Sequence, residues 1–145
     1  MLSFLGNVIW WLIGGVFMAL GWLFAGCLFA ISIIGLPWAR SAFVIAGFSL
    51  MPFGRTLIRR DVLTGQQDLG TSDWGTVGNI IWFVFAGWWL ALGHILSALG
   101  CFITILGIPW GWQHLKLAAA TLAPIGMTVV TVEQAERLHG VRTDR

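Results

Sequence analysis

Five polar side chains stand inside otherwise apolar stretches and are the best candidates for chemistry: Arg40, His94, Gln113, His114 and Lys116. Histidine exchanges protons near neutral pH, and cations embedded among apolar residues often line ion or solute paths, so the set points to passage rather than to covalent catalysis. The acid–base partners that hydrolysis or group transfer needs are missing. No Asp or Glu occurs between Met1 and Arg60 or between Gly75 and Val132. No carboxylate pair, Gly-rich phosphate loop or metal-binding Cys/His spacing stands out, so the expectation is no enzyme, no cofactor and no metal. Each candidate also has a plainer reading. Arg40 and Lys116 lie close to expected helix starts, where long cations reach water or lipid headgroups, and His94 fits a hydrogen-bonded histidine between helices.

The setting of these residues is a membrane. The chain is 58% hydrophobic and 10% charged, with mean hydropathy +0.87. No Asp, Glu, Lys, Arg or His occurs from Met1 to Ala39, and only His94 occurs from Gly75 to Gln113. Each run exceeds the roughly 18 residues that mark a membrane span. Leu23-Phe24-Ala25-Gly26-Cys27 is faintly like a lipoprotein cleavage site, but no Lys or Arg precedes it and the apolar run continues past it, so no processing is expected. Cys27 and Cys101 read as small hydrophobes within apolar runs.

Sliding the chain against itself by 72 positions pairs Gly6-Asn7 with Gly78-Asn79 and Trp10 with Trp82. It also pairs Gly15 with Gly87, Gly35 with Gly107, Pro37-Trp38 with Pro109-Trp110, and Pro52 and Gly54 with Pro124 and Gly126, all without a gap. This is a tandem duplication. The sequence resembles the YccF-type inner-membrane component domain of bacterial membrane proteins. The likeness rests on Gly78-Asn79-Ile80-Ile81-Trp82, Gly87-Trp88-Trp89-Leu90, Gly107-Ile108-Pro109, Lys116, and the Pro124 to Gly126 step. It implies an integral inner-membrane protein and brings no catalytic residue or substrate.

Local sequence sets the expected elements. In "IGLPW" (34–38) and "LGIPW" (106–110), Pro disfavours helix at the residue before it while Gly tolerates the left-handed conformation that ends helices. Gly35, Pro37, Gly107 and Pro109 therefore mark a stop and restart. Long helices are expected at about 6–34 and 78–106, and shorter ones at about 37–52 and 109–124. Asn7 and Asn79 read as N-caps, and the tryptophans as packing and interfacial residues. Gly15, Ala19, Gly26 and Ala30, with Gly87, Ala91 and Ala98 in the second copy, fall on one stripe of each long helix and suit close helix packing. The β-branched run at 128–133 aligns with 56–61 and suggests two short strands that pair beneath the membrane. A last helical stretch should run from Glu133 to His139 and stop at Gly140.

The resulting expectation is an all-α integral membrane fold built as a tandem parallel repeat, with two membrane-embedded segments per copy and about four in all. Its parts are a repeat at 1–61, a polar linker at 62–77, a second repeat at 78–133 and a tail at 134–145. Arg55, Arg59 and Arg60 after the first copy, with Arg137, Arg142 and Arg145 after the second, place the termini and linker in the cytoplasm by the positive-inside rule. The expected partners are the lipid bilayer and further copies of the chain, with an unidentified membrane-complex partner as an alternative and no nucleic acid. The functional expectation is a homo-oligomeric ion or small-solute pore. The runner-up is a non-conducting scaffold, and an enzyme acting on lipids or peptidoglycan precursors is the weakest reading.

Overall fold

The computed structural model describes residues 2–33 and 35–143, with side chains up to residue 138. Ile34 and Arg145 lie outside the described residues, as does the side chain of Arg142. Two 30-residue helices, α1 (Leu2–Ile31) and α4 (Asp73–Phe102), are long and apolar enough to cross a membrane. Each is followed by a shorter helix, α2 (Leu36–Leu50) or α5 (Ile108–Leu122), and then by a strand, β1 (Arg55–Arg59) or β2 (Met127–Thr131). A short α3 (Arg60–Thr64) leads into the linker, and α6 (Val132–Thr143) ends the described chain. The long helices begin and end a few residues earlier than expected, and α6 runs through Gly140 without stopping.

Both long helices widen into a π-type turn at the same place in the repeat, Trp11–Gly15 and Phe83–Gly87. The first is kinked further, because Gly14 has φ 128°, whereas the equivalent second turn contains no non-helical residue. The breaks carry Pro37 and Pro109 in the first turn of the short helices, as expected. The role of the adjacent glycines differs from the expected one. Gly35 and Gly107 have right-handed φ values of −80° and −76°, so neither is a left-handed cap. Gly35 is instead required by close approach, since a Cβ there would lie 2.9 Å from the Phe29 backbone.

Left-handed glycine is used at the other end of each short helix. Pro52-Phe53-Gly54-Arg55 and Pro124-Ile125-Gly126-Met127 are four-residue turns, each closed by a bond from the fourth N–H to the proline carbonyl. Gly54 (φ 78°) and Gly126 (φ 88°) take the third position, where a type II turn needs positive φ. Asn7 then clasps the first turn, donating to the Phe53 carbonyl (3.3 Å) and accepting from the Phe53 N–H (3.1 Å). Asn79 does the same to Ile125 (3.1 and 2.9 Å). The two asparagines are therefore turn clasps inside their helices, not N-caps.

β1 and β2 pair antiparallel, with Thr56 opposite Val130, Leu57 opposite Val129 and Ile58 opposite Thr128. The ladder is extended symmetrically by Arg60 N–H to Gly126 O (2.8 Å) and Val132 N–H to Gly54 O (3.2 Å). The central pair, Leu57 and Val129, are equivalent residues at the spacing of 72, so a local two-fold axis passes between them normal to the sheet. Side chains alternate across the ladder. Leu57 and Val129 pack on the main core of Trp10, Trp22, Ile45, Phe48, Trp82 and Leu117, whereas Ile58 and Val130 pack on Ala135 and Leu138 of α6.

Around that axis the tip of each helical hairpin meets the base of the other. The Trp38 indole donates to the Gly78 carbonyl (3.2 Å), and Trp110 sits edge-to-face on Phe53 (6.0 Å). The outer faces of α1 and α4 remain bare and apolar, with Phe17 and Phe85 each 79% exposed. Trp82→Phe should lower the unfolding midpoint in detergent, because the Thr121 carbonyl loses its indole donor (2.7 Å) at a cost of about 1–3 kcal/mol. Trp11→Phe should cost less, since its bond to the Leu50 carbonyl is exposed and repeat 2 already has Phe83 there.

Candidate functional site

The sequence candidates do not form one cluster. Two of them meet: His94 on α4 and His114 on α5 approach with their Nδ1 atoms 3.2 Å apart. One Nδ1 must carry the proton and the other accept it, so the contact holds a single proton and is broken if both rings are charged. His114 also packs on Trp10 of the first repeat, with ring centroids 5.1 Å apart. The first repeat has Trp22 and Ala42 at these positions, so the pair is absent from that copy. Beside His94 lies a cavity of about 310 Å³ between the long helices, walled by Met18, Trp22, Ala25, Trp82 and Leu90.

Lys116 goes elsewhere. Its ammonium donates to the carbonyls of Pro52 and Arg55 (2.9 Å each) and lies 5.6 Å from the Phe48 ring centroid. It therefore ties α5 to the turn after α2 instead of reaching out to headgroups. Gln113 is buried; its amide donates to the Pro109 carbonyl (3.3 Å), and its own oxygen has no protein partner among the described residues. Arg40 is exposed at the mouth of a groove of about 560 Å³ between the start of α2, the linker and the start of α4.

The small-residue stripe packs within each hairpin. A Cβ on Gly15 would strike the Trp10 indole, one on Gly26 would lie 2.7 Å from the Phe43 ring, and one on Gly87 would lie 3.1 Å from the Thr121 carbonyl. Ala19, Ala91 and Ala98 are buried, but Ala30 is exposed. Sequence reasoning missed the residues that hold the hairpins: Asn7, Asn79, and the indoles of Trp10 and Trp82, which donate to Ser49 and Thr121 carbonyls at 2.7 Å each. The available signal was their recurrence at the repeat spacing.

Next to the sheet lies a polar layer. Arg60 grips Asp68 through two bonds (2.6 and 2.8 Å), and Asp68 in turn accepts from the Gly70 and Thr71 N–H groups. Arg59 pairs with Asp61 (3.0 Å) and donates to the Thr71 carbonyl. These hydrogen bonds, chiefly those from Arg60, hold the Asp68 carboxyl well below the usual carboxylate range; Arg59 lowers Asp61 in the same way.

The inner membrane component domain model matches the chain twice, over residues 5–55 and 77–127. The chain belongs to the YccF family. The two YccF matches start 72 residues apart, the spacing of the internal repeat. Similar proteins include the inner membrane protein YccF of Escherichia coli (strain K12) and that of Shigella flexneri, each 40% identical over 131 residues, covering 90% of this chain and 88% of the relative. No solved structure matches. This YccF-family chain is thus an inner-membrane protein with a duplicated domain, and no catalytic family is indicated.

The depressed Asp68 value has a definite sign. A carboxyl whose folded pKa lies below its unfolded value of about 3.9 stabilises the fold above that pH and loses its contribution as the pH falls. Asp68→Asn should therefore flatten the loss of thermal stability below about pH 4. An unchanged acid limb would show that the pair contributes nothing.

Proposed function

We propose that this protein is a multi-pass inner-membrane protein that assembles into a homo-oligomer forming or contributing to an ion or small-solute pore. The observation that carries this reading is the His94–His114 contact beside a cavity between the long helices, at a place where the first copy of the repeat has Trp22 and Ala42. Self-association is supported by the bare outer faces. Gly93 has nothing within 4 Å of an added Cβ, so another helix can approach closely there, whereas its equivalent Gly21 borders the cavity between the long helices. The stripe containing Gly15 and Gly87 is already occupied within the chain.

The termini and linker are assigned to the cytoplasmic side. Ser3 lies against Gly54, and the strand pairing sets Arg55 beside the start of α6 while Arg59 and Arg60 lie at the other end of the same ladder, so the sheet carries arginine at both ends, which supports a cytoplasmic position for it. The second reading, a non-conducting scaffold, draws on a different observation. The Lys116 charge is met by two carbonyls, and the cavity walls are mostly apolar, so a charged filter is not built into one protomer.

Two measurements bear on the pore and scaffold readings, and a third tests the orientation. Gly93→Leu should reduce the oligomer seen by native mass measurement, whereas Gly15→Leu should unfold the hairpin. In reconstituted bilayers the wild-type chain should carry current, and replacing both His94 and His114 by Phe should change it; a purified oligomer with neither current nor solute flux would hand the lead to the scaffold. Single cysteines at Ser3 and Ser72, with Cys27 and Cys101 removed, should resist an impermeant thiol reagent in intact spheroplasts, and strong labelling of Ser72→Cys would reverse the orientation.

A further inference from the structure

We infer that the groove at Arg40 is a binding site for one anionic phospholipid per chain. Its volume of about 560 Å³ is in the range of small-molecule sites, and its two ends differ in chemistry. One end reaches the polar layer at Arg60 and Gly70; the other opens onto the bare face of α4 at Val77 and Ile81. Trp74, 73% exposed, stands at the junction, the position indoles favour at a headgroup boundary.

The two arginines are not equivalent. Arg60 already faces the Asp68 carboxylate, whereas no carboxylate approaches Arg40 among the described residues. The groove thus offers an unneutralised cation above apolar walls, which complements a phosphate headgroup carrying an acyl chain. A free phosphate would leave the apolar walls unused. An uncharged or zwitterionic lipid would not be distinguished by Arg40.

The second repeat shows why one site is expected and not two. Its equivalent of Arg40 is Trp112, packed edge-to-face on Phe102 (6.2 Å). Its equivalent of Trp38 is Trp110, and Phe53 sits on that ring where Ile125 borders the groove in the other half. Aromatic rings replace both the cation and the space beside it.

The test uses the full chain in mild detergent, with dioleoyl phosphatidylglycerol or dioleoyl phosphatidylcholine added and retained lipid counted by native mass spectrometry. One phosphatidylglycerol should be held in preference to phosphatidylcholine. Arg40→Gln should weaken phosphatidylglycerol about fivefold and leave phosphatidylcholine unchanged, the effect of about one cation's attraction to an anionic lipid. Val77→Trp, placed at an exposed position on the groove wall, should reduce retention of the bound lipid, and Trp112→Arg should add no second one. Equal retention of the two lipids, an Arg40→Gln variant that keeps the preference, or full competition by glycerol 3-phosphate alone would overturn the assignment.

Discussion

A helix that ends among apolar groups leaves its last carbonyls without water, and each unmet carbonyl is costly. The fold is organised around that constraint. The Trp10 and Trp82 indoles donate to the Ser49 and Thr121 carbonyls near the ends of α2 and α5, and Trp11 does so at Leu50. One turn earlier on each long helix, Asn7 or Asn79 fixes the chain as it leaves the short helix. Once these groups are satisfied, the strand that follows has a defined starting point, and the register of the sheet follows from it. Lys116 extends the same service across the axis to Pro52 and Arg55.

The two copies share this scaffold and differ in what they attach to it. Trp22 fills space against Trp82 in one half, whereas His94 replaces it in the other and meets His114. Arg40 borders an open groove, while Trp112 closes the corresponding region by packing on Phe102. The Asn7/Asn79 and Trp10/Trp82 clasps are common to both copies, whereas Trp11 and Lys116, which also serve carbonyls, are matched only by Phe83 and Val44 in the other copy. The two copies thus share the paired clasps at the base of each hairpin and differ on the helix faces and in these two extra donors.

Much of the architecture was legible in the sequence because it is local or periodic. The spacing of 72, the prolines that restart helices and the β-branched run before Glu133 each act through neighbouring backbone, and they located the hairpins and strands. The clasps were not legible, because Asn7 and Phe53 are 46 residues apart, as are Asn79 and Ile125, and only the folded hairpin brings them together. The N-cap reading failed at Asn79 for a simple reason: α4 begins at Asp73, a full turn and more before it. Gly35 was misread because its requirement comes from the Phe29 backbone and not from its own φ. Of the candidate site, the His94–His114 contact could not be foreseen from either residue's position; it depends on how α4 packs on α5.

The sheet register carries one further implication. Because Leu57 and Val129 occupy corresponding places in the two copies, β1 and β2 meet as two identical chains would across a true dyad. A chain carrying one copy could build the same ladder by dimerising, with each hairpin tip resting on its neighbour's base. Covalent joining through the 60–73 segment removes the need for two molecules to find each other. It also releases the halves from identity, which is what allows a lysine on one side to serve carbonyls on the other without a matching lysine in return.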